Sequence, residues 1–113
     1  MNLTLQPAYL NRIRQEQAKL SEEGLLPTLR KPQQVVKMWK QACPTLARVL
    51  QAAGILDEAA SVLSHQAYRA AMKQPGEVSE ALQRMERELI PHDQATEEQY
   101  LSQITLSPAQ TTG

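Results

Sequence analysis

Gln33 to Ala53 reads QQVVKMWKQACPTLARVLQAA. Val35, Trp39, Ala42, Leu46, Val49, Leu50 and Ala53 recur at the spacing of one helical face, with Cys43 at its edge. Lys37, Lys40, Gln41, Arg48 and Gln51 share the opposite side. Pro44 interrupts this pattern: it lacks a backbone donor, its ring crowds the carbonyl four residues earlier at a cost of about 3 kcal/mol or more, and it disfavours helical geometry at Cys43. Yet the apolar phase continues across the proline, and Pro44 itself falls on the polar side. That continuity favours one helix bent around a core over a break at Cys43.

Downstream, Gly54 suits the left-handed position that ends such a helix, and Asp57 suits the cap of the next, which runs to about Lys73 before Gln74, Pro75 and Gly76 stop it. Ala59, Ala60, Leu63, Ala67, Ala70 and Ala71 share one face of that helix, and side chains so small let a neighbour approach closely. A fourth helix is expected over 77–90. Val78, Leu82, Met85 and Leu89 follow one another in coiled-coil steps along it, flanked by Glu80, Arg84, Arg87 and Glu88. This seam is expected to dock either onto the first helix or onto a second copy of the chain. Pro91 closes it, and Thr96 with Gln99 reads as a capping box for a short last helix bearing Tyr100, Leu101 and Ile104.

Upstream, Pro7 fits the first position of a helix, and Leu10, Ile13, Gln17 and Leu20 form a narrow stripe that Gly24 ends. Leu25 to Pro32, LLPTLRKP, holds two prolines and no periodicity and reads as a connector. The expected fold is therefore all-α, a compact bundle of four main helices plus a short C-terminal helix, with the second helix kinked at Pro44. Residues 1–106 form the expected single domain, and the polar residues 107–113 a flexible tail. A length of 113 residues suits one domain with a core of its own. With 42% hydrophobic residues but only 4% aromatic, that core must be built from Leu, Ala, Val and Met. No stretch alternates apolar and polar residues as a half-buried strand would.

Formal net charge is zero, but the charge is unevenly spread. Between Gly24 and Leu56 stand Arg30, Lys31, Lys37, Lys40 and Arg48 with no acid, whereas residues 57–113 carry four bases against nine acids. The basic block is the expected place for any polyanion, because each phosphate contact releases counterions and gives salt-sensitive, sequence-blind affinity. The stretch ARVLQAAGILDEAASVL, Ala47 to Leu63, superficially suits a DNA-reading helix-turn-helix. Its second helix, however, would lead with Asp57 and Glu58, which repel phosphate, so a plain helical corner is the better reading.

No catalytic residue, metal site or cofactor is expected. His65 and His92 stand in no ligand-spaced cluster, Cys43 lies on an apolar stripe where thiols are inert, and no Gly-rich phosphate loop occurs. A lone cysteine, no apolar run of membrane-spanning length and no signal-peptide pattern suggest a cytoplasmic protein. The expected function is binding: an accessory or assembly factor, an inhibitor, or a small subunit of a larger complex. A protein partner or a homo-oligomer is expected through Val78, Leu82, Met85 and Leu89, with no small-molecule substrate. The alternative is an accessory subunit touching nucleic acid through the basic face.

Overall fold

A computed structural model describes residues 4–23 and 31–106. Among them the chain forms α1 (Pro7–Glu23), α2 (Pro32–Ala42), α3 (Pro44–Ala52), α4 (Leu56–Met72), α5 (Val78–Leu89) and α6 (Gln94–Ile104), and no strand. Arg30 and the expected tail, 107–113, lie outside the described residues, as does most of the connector.

The architecture is helical, but it is not four main helices and a short fifth. The stretch expected to form one bent helix is two helices, broken at Cys43, whose φ of −132° and ψ of 60° are not helical. Pro44 thereby becomes the first residue of α3, where its missing N–H is no loss. Both helices keep their apolar stripe inward, Val35 and Trp39 on α2 and Leu46, Ala47 and Leu50 on α3, which is why the periodicity survives the break. Three long-range bonds hold it. The Trp39 indole N–H donates to the Pro91 carbonyl at 2.9 Å, the Cys43 thiol points to the Asp93 carbonyl at 3.6 Å, and the Leu46 N–H donates to the Glu97 carboxylate at 2.9 Å. The Leu46 N–H, which a continuous helix would have paired within itself, thus takes its partner from α6, and the α5–α6 connection anchors the side chains on the other side of the break.

The turn after α3 uses Gly54 as expected. Its φ is +75°, its N–H bonds the Gln51 carbonyl at 3.0 Å, and the next N–H, of Ile55, reaches back to the Leu50 carbonyl at 3.0 Å. This is the Schellman arrangement, and Leu50 and Ile55 are both buried beneath it. Asp57 does not cap α4. The cap position is Ile55, which makes no side-chain cap bond, and Asp57 and Glu58 instead stand in the first turn, where their charge favours the helix N-terminus.

α4 is the centre of the molecule. Every residue from Ala59 to His65 is buried, as are Ala67 and Ala71, and α1, α2, α3 and α5 all pack against it. A helix apolar or small on nearly all sides belongs inside. The buried residues of all six helices join into one hydrophobic cluster. α6 packs on α3 and begins three residues earlier than the expected capping box: Asp93 is the cap, accepting the Thr96 N–H at 2.8 Å, and the Thr96 hydroxyl accepts the Asp93 N–H at 3.0 Å. The two ends of the described chain meet. Leu5 and Thr105 form an antiparallel bridge, flanked by Gln6 N–H to Ile104 carbonyl (2.8 Å) and Leu106 N–H to Thr4 carbonyl (2.9 Å).

Candidate functional site

The coiled-coil seam expected on α5 is divided. Leu82 and Met85 are 6% and 8% exposed, whereas Val78 and Leu89 are 46% and 39% exposed. The buried stripe is Ala81, Leu82, Met85 and Glu86, rotated from the expected one, and the main partner of α5 is α4 rather than the first helix. Alanine at position 81 explains the rotation, since the alanine-rich face of α4 seats best against a small side chain.

Beside this stripe, where Glu86 belongs to both, α5 and α2 enclose a cleft of about 310 Å³ lined by Val35, Met38, Gln83, Glu86, Arg87, Ile90 and His92. Val35 and Ile90 belong to the core, so the cleft has an apolar floor, while Gln83 and Arg87 are exposed at its edge. Glu86 is nearly buried in its wall. A carboxylate and a guanidinium therefore stand on consecutive residues around an apolar hollow. In the sequence Val35 belongs to the apolar stripe of the second helix, Arg87 to the flank of the fourth and His92 to the stretch after it, and nothing joins them. The lining comes from α2, α5 and the connection after α5, some fifty positions apart, so no local pattern marks it.

Of the basic block, Lys31, Lys37, Lys40 and Arg48 are all exposed. They are no longer on one helix: Lys37 and Lys40 belong to α2 and Arg48 to α3. Lys40 also shares a groove with Gln51, Asp57 and Glu58, so acids at the start of α4 temper the positive field there. The helix-turn-helix resemblance ends with the packing, because α4, in the place of a recognition helix, is enclosed.

Cys43 is fully buried, and burial first, then the nearby Glu97 and Asp93 carboxylates, pushes its thiol up to about 11. It stays protonated and unreactive at neutral pH. His65 is buried with Nδ1 2.8 Å from the Ser61 carbonyl, and His92 is half-buried at the α6 start, 3.7 Å from the Asp93 carboxylate. Among the described residues no three His, Cys, Asp or Glu side chains gather as metal ligands, and no helix is long and apolar enough to cross a membrane.

A further cluster joins Tyr100 and Ile104 of the last helix to residues of the first, a meeting that no spacing in the sequence signals. Tyr9 of α1 and Tyr100 of α6 meet edge to face, with ring centroids 6.0 Å apart and hydroxyl oxygens at 2.6 Å, and the Arg12 guanidinium lies over the Tyr9 ring at 5.2 Å. Gln6, Ala8, Tyr9, Arg12, Tyr100, Gln103 and Ile104 line a cleft of about 260 Å³ beside them. Only the closure of the two chain ends brings these residues together. The chain matches no protein-family model, no curated protein and no solved structure.

Proposed function

We propose that this protein is a non-enzymatic binding protein, an accessory, assembly or inhibitory subunit, that engages a partner protein chain at the α2–α5 cleft. The observation that carries this reading is the composition of the cleft: an apolar floor of Val35, Met38 and Ile90, with the Glu86 carboxyl in the wall and the Arg87 guanidinium at the edge. An apolar side chain seated in the hollow would contribute most of the affinity, and the polar groups of the wall and edge would set its orientation more than its strength.

The test is a photo-crosslinking residue placed at exposed Gln83, with one at exposed Glu98 as control, in the cells that make the protein. A partner chain joined at 83 and not at 98 is then purified, and Gln83→Trp, which fills the cleft, is expected to weaken its binding by about tenfold or more while helicity is kept. A partner that binds the filled variant equally well overturns the reading. Sedimentation across a concentration range shows whether that partner is a second copy.

A second reading rests on the exposure of Lys31, Lys37, Lys40 and Arg48, in which the subunit touches nucleic acid without sequence preference. Labelled DNA or RNA titrated at low and high salt tests it: binding must weaken steeply with salt and vanish on joint charge reversal of Lys37, Lys40 and Arg48.

A further inference from the structure

The Tyr9–Tyr100 pair is chemically incomplete. Burial raises both phenols above their ordinary value, so both keep their protons at neutral pH. Two O–H groups then share a single hydrogen bond, in which one donates and the other accepts. The second proton finds no acceptor among the described residues. Arg12 is in a similar state: its guanidinium offers five N–H donors, and apart from the face of Tyr9 it meets no acceptor among the described residues. No carboxylate lines the cleft that these three side chains share. Glu88 lines not this cleft but an adjoining hollow that also includes Arg12, Tyr100 and Gln103.

A cleft with surplus donors, one fixed positive charge and no acid selects an anion that can accept several hydrogen bonds at once. Ala8 and Ile104 give it apolar wall as well. We propose that the cleft between α1 and α6 binds a carboxylate carried on a small apolar body, with Arg12 and the tyrosine pair donating to the carboxylate oxygens and Ala8 and Ile104 covering the apolar part. Cation–π stacking on Tyr9 holds the guanidinium in place before the ligand arrives, which lowers the entropy lost on binding. Gln6 adds a polar handle. Its amide N–H groups are taken by the carbonyls of Gln103 and Thr105, at 3.2 and 3.1 Å, leaving its amide oxygen to accept an N–H placed beside the carboxylate, as in a peptide terminus. This site is built by elements other than those of the α2–α5 cleft and stands independently of it.

The full chain is titrated with hexanoate and with N-acetylleucinate, each beside its uncharged amide, and with inorganic phosphate. The readouts are the Arg12 Nε–H resonance and the tyrosine ultraviolet difference spectrum. Both carboxylates are expected to bind about tenfold or more tightly than their amides, and to perturb both signals. Tighter binding of N-acetylleucinate assigns the site to a peptide terminus, and tighter binding of hexanoate assigns it to a free aliphatic acid. Arg12→Gln, at an exposed position where folding is not at stake, is expected to lose about tenfold or more, and Arg12→Lys to recover only part of it because the planar fork is gone. Tyr100→Phe is expected to reduce the tyrosine spectral change to what Tyr9 alone contributes. Acid and amide binding alike, undiminished affinity in Arg12→Gln, phosphate binding more tightly than either carboxylate, or no response to any probe would each overturn the proposal.

Discussion

The Glu97 carboxylate accepts the backbone N–H of Leu46 at 2.9 Å and so caps a helix that has no cap of its own. α3 opens with Cys43 in the cap position and Pro44 after it, and neither side chain serves the first-turn donors. Glu97 does so from α6, fifty-one positions away and only 6% exposed. The positive end of the α3 dipole in turn makes a buried carboxylate tolerable. Glu97→Ala is expected to destabilise the fold by ~1 to 3 kcal/mol, because it leaves a buried donor unmet, and Glu97→Gln by less, because an amide oxygen still accepts. Urea unfolding of the three proteins measures the order.

The Gly54 turn is sensitive for a purely conformational reason. A Cβ built there would meet nothing within 4 Å, so space is no constraint, but φ is +75°. Gly54→Ala is expected to cost ~1 to 2 kcal/mol and Gly54→Asn less, since asparagine tolerates the left-handed region. Equal melting temperatures for the parent and the alanine variant would show that the turn relaxes without loss.

Asp93 lends the start of α6 a pH dependence. The Thr96 backbone N–H, aided by the Thr96 hydroxyl and by nearby His92, holds its carboxyl below the ordinary value of 3.8. A carboxyl lowered in the folded state binds its proton less readily than in the unfolded chain. Its stabilisation is therefore fully present above about pH 4 and lost as pH falls through the lower folded value. The melting temperature of the parent should exceed that of Asp93→Asn at pH 6, and the gap should close under strong acid. A gap that stays constant from pH 6 to pH 2 would contradict this.

On α5 the four residues of the expected seam should behave as two pairs. Leu82→Asp or Met85→Asp buries an unpaired charge against α4 and is expected to cost ~3 kcal/mol or more, enough to unfold a marginal domain. Val78→Asp and Leu89→Asp, at half-exposed positions, are expected to leave circular dichroism unchanged and shift stability by about 0.5 kcal/mol. Thermal melts followed by circular dichroism separate the pairs.

Periodicity made the helical stretches legible because burial along a helix repeats with its own turn: Val35, Trp39, Leu46 and Leu50 stand in phase and are all fully buried. Gly54 was legible because few residues accept a positive φ. The alanine face of α4 was also visible in advance, although not that α4 would be enclosed by four neighbours. The α5 register was misread because Val78 and Leu89 fit a heptad as well as Leu82 and Met85 do, and a heptad does not reveal which neighbour a helix will meet.

What the sequence by itself determined is what neighbouring residues decide among themselves: helical class, apolar faces, the Gly54 stop and the exposure of Lys37, Lys40 and Arg48. Tertiary structure decided whatever depends on a partner far along the chain. Pro44 alone permits either a bend or a break, and the break at Cys43 is chosen because Pro91, Asp93 and Glu97 stand where they can satisfy Trp39, Cys43 and Leu46. The α2–α5 cleft and the meeting of Tyr9 with Tyr100 arise in the same way. Contacts between residues fifty to ninety positions apart leave no period in the sequence, because each side chain obeys only its own helix until the chain closes.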